Sequence, residues 1–150
     1  MKFLKVFSRA EYALKNIEDF RKTYKNNNKV EANWDAFANA IDSSFYTPTE
    51  SGIVQAREYL WNNPPKKQRI NNNELFFEDF KIDEHQAKTQ QLLLMVCTVR
   101  NNLFHGGKYT PSTAEVNNTE RNQKLLENSI IIIKACMDLD KSVKGYYNVQ

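Results

Sequence analysis

The stretch VRNNLFHGGK, residues 99–108, sets a guanidinium and an imidazole five positions apart, Arg100 and His105, with Asn101 and Asn102 between them and two glycines immediately after. These residue types suit attack of a ribose 2′-hydroxyl on the neighbouring phosphate. That reaction needs a proton taken from the nucleophile, a proton delivered to the leaving 5′-oxygen, and stabilisation of the charge that builds between them. Histidine, with a reference pKa of about 6.5, can serve either proton step near neutrality. Arginine stays charged, and its planar fork matches phosphate oxygens. Asn101 and Asn102 offer uncharged hydrogen bonds to phosphate or ribose. No metal and no cofactor is required, and dependence on the 2′-hydroxyl would restrict the chemistry to RNA.

Five residues of a regular helix turn the chain by about 500°, so Arg100 and His105 point roughly 140° apart, and one copy makes a poor paired site. Two copies of the helix end, packed across a two-fold axis, would place two arginines and two histidines around a shared groove, because such an interface sets the same patch of each copy against itself. A composite site in a homodimer is thus geometrically reasonable. Lys108 and Tyr109 follow closely enough to touch the substrate, as a phosphate partner and a stacking surface. PPKKQR at 64–69 adds Lys66, Lys67 and Arg69, which could neutralise RNA phosphates, although a solvated loop explains the same run.

The elements that must hold these groups read as helices. With 150 residues, 41% of them hydrophobic, the chain has the size and apolar content of one domain, 1–150. Only four glycines and four prolines interrupt it. The net charge of +3, from 21 basic and 18 acidic side chains, means that any affinity for nucleic acid must come from local clustering. Phe3, Phe7, Ala10, Leu14, Ile17, Phe20 and Tyr24 recur at helical spacing and predict one long amphipathic helix. Asn33 can cap a second helix that turns Trp34, Phe37, Ile41 and Phe45 inward. Thr47, Pro48, Thr49 and Glu50 form a capping box that opens a third, from Pro48 to about Trp61.

Residues 62–73 read as a polar connection, and ELFFEDF at 74–80 is left open between a helical turn and an extended piece. Asp83 with Gln86 opens the motif helix, whose inward face is Thr89, Leu92, Leu93, Val96, Val99 and Leu103, and Gly106 and Gly107 close it. The last helix runs from about Asn118 to Leu139. No strand is convincing, so the expected fold is all-α, a bundle of four to five helices. The aromatic residues Phe3, Phe7, Phe20, Trp34 and Phe37 belong to its core, as do Cys97 and Cys136, which lack a third ligand at zinc-like spacing. His85 reads as a solvated residue. Lysines and an arginine break up the apolar residues of the N-terminus, and no apolar run approaches membrane-spanning length; the expectation is a cytoplasmic protein with no membrane partner.

RNNLFHGG resembles the signature of the HEPN domains (higher eukaryotes and prokaryotes nucleotide-binding): an arginine, a polar residue, a few variable positions, then a histidine. FSRAEYALK at 7–15 also looks like the first helix of some bacterial members, and it gives Glu11 no chemical role. The resemblance implies an all-α bundle that dimerises through its motif helices. It also implies a metal-independent endoribonuclease of toxin or phage-defence type, leaving a 2′,3′-cyclic phosphate. Arg100 and His105 would be the catalytic pair and Asn101 the polar helper. An antitoxin or nucleotidyltransferase partner protein is a further implication. Some members of the family are catalytically silent, so an RNA- or nucleotide-binding or partner-assembly module stands as the alternative, with a purely structural helical dimer behind it.

Overall fold

The computed structural model of the chain describes residues 2–47, 50–104 and 119–149. These form six α-helices, α1 (Lys2–Lys15), α2 (Trp34–Tyr46), α3 (Ser51–Asn62), α4 (Lys88–Phe104), α5 (Thr119–Met137) and α6 (Lys141–Val149), with a 3₁₀ turn at Glu18–Phe20. The all-α expectation is corrected by two antiparallel hairpins. Strand β1 (Arg21–Thr23) pairs with β2 (Val30–Ala32), and β3 (Lys67–Asn71) pairs with β4 (Glu74–Glu78). The fold is mostly helical with two small sheets.

The helices form where apolar spacing and local caps agree. Asn33 accepts from the Ala36 N–H at 3.1 Å and opens α2 as expected. The first helix stops at Lys15, not Tyr24: the Asn16 amide donates to the Tyr12 carbonyl at 2.8 Å, occupying an acceptor left open at the helix end. Ile17 then turns extended, at φ −119° and ψ 123°. Phe20 still reaches the core from the 3₁₀ turn, so the apolar spacing continues past the point where the helix ends. The capping box before α3 is also corrected. Thr47 Oγ1 donates back to the Ser43 carbonyl at 2.7 Å and finishes α2, while α3 follows Glu50 without a side-chain cap; Pro48 and Thr49 lie outside the described residues.

The motif helix begins at Lys88 and not at Asp83. Its first turn is capped from a neighbouring helix: Asp42 Oδ1 on α2 accepts from the Thr89 N–H at 3.1 Å and from Thr89 Oγ1 at 2.7 Å, placing a carboxylate against the positive end of α4. The 83–86 turn is held apart from the helix by Gln91, buried, whose Oε1 accepts from the Asp83 N–H at 3.3 Å and whose amide donates to Gln86 Oε1 at 3.0 Å.

Helix α2 packs chiefly on α4, α3 on α5, and α1 against α5 and α6. The predicted inward faces are buried: Leu92, Leu93, Val96 and Val99 of α4 meet Ile132, Ile133 and Cys136 of α5 in one core. The five aromatic residues assigned to the core are buried too, with Phe7 stacked on Trp34 at 5.3 Å and Phe20 edge-on to Phe37 at 5.2 Å between ring centroids. The Trp34 indole N–H donates to Glu11 Oε2 at 3.3 Å, which gives Glu11 a structural task. The last helix ends at Met137, and Asp140, accepting from the Val143 N–H at 3.0 Å, caps the additional helix α6.

Candidate functional site

The site is built on the C-terminal turns of α4 and on the second hairpin. Arg100 is half-buried, one turn from the described end of the helix. Its Nη1 donates to Asn101 Oδ1 at 3.1 Å, and its guanidinium carbon lies 5.8 Å from the centroid of the Phe7 ring. Because Phe7 is itself stacked on Trp34, the guanidinium rests on a fixed aromatic floor, which restricts a long side chain that would otherwise sweep through many rotamers. Asn101 is exposed beside it. His105, Gly106, Gly107, Lys108 and Tyr109 lie outside the described residues.

Asn102 occupies a different environment from its neighbour. It is buried, and its amide donates to the Lys66 carbonyl at 2.8 Å, tying the start of β3 to α4. The segment before β3 is tied twice more. Arg121 of α5 donates to the Pro64 carbonyl at 2.8 Å, and Asn63 donates to the Tyr59 carbonyl at 3.0 Å. The polar connection expected over 62–73 is therefore a braced strand. Its turn, Asn72–Asn73, has φ of 51° and 64°, the two positive values that a two-residue type I′ hairpin turn demands and that asparagine tolerates.

Pairing places Gln68 opposite Phe77, Lys67 opposite Glu78 and Arg69 opposite Phe76. The three cations of the hairpin are each engaged: Arg69 Nε lies 3.0 Å from Glu78 Oε2, Lys66 Nζ 3.8 Å from Asp79, and Lys67 Nζ 5.0 Å from the Phe80 ring centroid. The two ion pairs are solvent-exposed, so each restrains its cation by at most about 1 kcal/mol, well below what a phosphate in the same place can compete for.

Between β3 and α4 runs a groove of about 430 Å³, walled by Lys67, Gln68 and Arg69 on the strand side and by Thr98 and Asn101 on the helix side. Asn101 lines the groove and also accepts from Arg100, which links the guanidinium to it. Its floor includes Cys97, whose thiol is pushed up to about 12 by burial and so stays neutral and unreactive at ordinary pH. Gln68, Thr98 and Cys97 escaped the sequence reading; the signal for the first was the alternating KQRIN and ELFFE around two asparagines, a hairpin pattern. A roomier cavity of about 570 Å³ lies by Tyr46, Trp61 and Lys88, at the other end of α4 and about 18 Å of helix from Arg100 at 1.5 Å per residue. His85 is exposed, as expected.

Among the described residues no cluster of three or more histidine, cysteine or carboxylate side chains is arranged to hold a metal ion, and no helix is long and apolar enough to cross a membrane. The chain matches no model of a known protein family, no curated protein and no solved structure.

Proposed function

We propose that the chain is a metal-independent endoribonuclease of HEPN type, acting as a homodimer at a site built from the motif helices of both copies. The observation that carries the reading is the Arg100–Asn101 pair, fixed on the Phe7 ring and opening into a groove edged by Lys67 and Arg69. In the proposed reaction His105 takes the proton of the ribose 2′-hydroxyl, and the 2′-oxygen attacks the adjacent phosphorus. The bond from phosphorus to the 5′-oxygen breaks, and the partner's copy of the histidine returns a proton to that oxygen, leaving a 2′,3′-cyclic phosphate and a 5′-hydroxyl. Arg100 compensates the charge that grows on the non-bridging oxygens, and Asn101 holds the guanidinium or the substrate in line. A cytoplasmic toxin or defence effector, with an antitoxin or nucleotidyltransferase partner, is the setting that the family resemblance suggests.

The test is incubation of labelled RNA with the wild type, Arg100→Ala and His105→Ala in the presence of a chelator. Cleavage by the wild type alone, ending in cyclic phosphate, is the expected result. Cleavage that survives both substitutions overturns the catalytic assignment, and cleavage abolished by chelator overturns the metal-free chemistry. A second reading, a catalytically silent RNA-binding module, draws on the ring contact of Arg100 with Phe7, which also suits a packing role; it predicts binding without turnover in the same assay.

A further inference from the structure

We infer that the cavity of about 570 Å³ at the start of α4 binds a free α-amino acid with a large apolar side chain, its carboxylate held by Arg57 and Lys88 and its ammonium by Glu58 and Glu84. The cavity lies at the opposite end of α4 from Arg100, and the inference does not rest on the nuclease reading. Arg57 is 9% exposed and lines the cavity. Of its three guanidinium nitrogens only Nη1 is hydrogen-bonded among the described residues, to the Phe45 carbonyl at 2.7 Å. Nε and Nη2 are not sealed from solvent, so an acceptor can reach them. The guanidinium carbon lies 4.6 Å from the centroid of the Tyr46 ring, a wall of the cavity, and Lys88 Nζ lies 5.9 Å from the same centroid.

Two cations thus meet at one ring, and neither is ion-paired with a carboxylate among the described residues. Arginine keeps its charge at any ordinary pH, so burial leaves a demand for an anion that one carbonyl and the aromatic rings meet only in part. The remaining walls decide which anion. Glu58, Asp83 and Glu84 also line the cavity, exposed and without an ion pair among the described residues. Charges of both signs therefore border one space without pairing across it. With two positive side chains against three negative, the lining already carries one net negative charge. A phosphate ester or a simple organic acid would deepen that charge, whereas a zwitterion leaves it unchanged and answers both groups at once.

Asp83 Oδ1 accepts from the His85 N–H at 2.9 Å, which leaves Glu58 and Glu84 as the freer carboxylates for an ammonium. The turn that carries Asp83 and Glu84 is fixed by buried Gln91, so the acidic wall is held in place before a ligand arrives. Trp61, Val54 and Ile82 supply the apolar surface, with the Trp61 indole N–H donating to the Tyr46 hydroxyl at 3.4 Å. Ile82 is 49% exposed and would be covered by an apolar side chain lying against it. The volume falls within the 300–1,000 Å³ range of small-ligand sites.

The experiment is titration of the full chain, followed by two-dimensional NMR, with L-phenylalanine, phenylpropionate, which lacks the ammonium, and phenethylamine, which lacks the carboxylate. At about pH 7 each probe carries its ordinary charges. L-phenylalanine should bind about 10-fold more tightly than either truncated probe and shift the Trp61 indole N–H. Arg57→Lys, which keeps the charge and loses the planar fork, should weaken L-phenylalanine about 10-fold and leave phenethylamine unchanged. The double variant Glu58→Gln with Glu84→Gln should weaken L-phenylalanine about 5-fold and bind phenylpropionate no more weakly than wild type does. Circular dichroism melting checks folding, and if Arg57→Lys fails to fold the exposed glutamate variant decides. No binding of L-phenylalanine by about 10 mM, equal binding of either truncated probe, or an L-phenylalanine affinity unchanged in the folded variants overturns the inference. No RNA enters the assay, so failure of the nuclease reading and failure of this one are scored separately.

Discussion

Asn101 and Asn102 are adjacent and identical in type, yet the structure gives them opposite environments, and substituting each by alanine should separate site from scaffold. Asn102 is 6% exposed and its amide holds the Lys66 carbonyl at 2.8 Å. Truncation leaves that carbonyl facing a methyl group in a partly buried place, a loss of about 1–3 kcal/mol. For a domain of about 150 residues this corresponds to a drop in melting temperature of roughly 2–4 °C per kcal/mol, so about 2–12 °C in all. Asn101 is exposed and, among the described residues, is bonded to the guanidinium beside it, so Asn101→Ala should stay within about 0.5 kcal/mol of wild type. Urea denaturation followed by circular dichroism measures both. Hydrogen exchange adds a local readout, because Asn102→Ala should speed exchange of the β3 amides more than those of α5. Equal denaturation midpoints for the two variants, or an Asn102→Ala protein as stable as wild type, would refute the assignment of the clamp.

Three further outcomes follow from particular side chains. Arg57 is 9% exposed, its guanidinium 4.6 Å from the Tyr46 ring centroid and its Nη1 2.7 Å from the Phe45 carbonyl, so Arg57→Ala should cost about 2–4 kcal/mol in denaturation and Arg57→Lys, lacking the planar fork, should recover only part of it. Ser129 Oγ is fully buried with no hydrogen-bond partner among the described residues; Ser129→Ala should leave stability unchanged or raise it by about 1 kcal/mol, and a loss greater than that contradicts the orphaned hydroxyl. Burial raises the Cys97 thiol to about 12 and also raises that of Cys136. An unfolded cysteine ionises near 8.5 while these stay protonated in the fold, so stability should be intact below about pH 8.5 and decline as the pH climbs toward 12. Labelling of Cys136, which is fully buried, with a disulfide reagent at pH 8 should track global unfolding; fast labelling of Cys136 in the native protein would refute this.

Helix existence and facing were legible in the sequence because burial imposes its own period. Leu92, Leu93, Val96 and Val99 could face only one way, and the Asn33 cap required nothing but its neighbours. Boundaries failed where a distant partner or a local amide decided them. Nothing in Lys88 or Thr89 announces a helix start, since the cap comes from Asp42 on another helix. Thr47 fits a capping box in sequence, but its hydroxyl has the Ser43 carbonyl within reach and closes the preceding helix. The second hairpin carried a readable signal, a two-asparagine turn between alternating runs. It was masked by the neighbouring prolines and by strands whose apolar residues, Ile70 at 74% exposed and Leu75 at 55%, do not pack inward. At the candidate site, Arg100 and Asn101 were singled out from their types and spacing. The Phe7 ring beneath Arg100 was not legible, because it depends on a contact across more than ninety residues of chain.

The charge arrangement of the hairpin bears on how such a groove would handle a polyanion. Three free cations on a loop would draw any nucleic acid, double- or single-stranded, through long-range attraction. Here Arg69 and Lys66 face Glu78 and Asp79, so the distant field is partly cancelled while the guanidinium and ammonium groups stay at the rim. A phosphate that arrives must displace only exposed ion pairs worth at most about 1 kcal/mol each, and it gains charge-assisted bonds in their place. On the nuclease reading, a weak distant field would withhold affinity from strands that merely pass, and the close contacts would release it to a strand lying in the groove. On the same reading, the Asn102 clamp and the Arg121 contact to Pro64 matter because they hold the segment before β3 against α4 and α5. Loosening either would then shift the groove wall before it touched the chemistry proposed for the helix end.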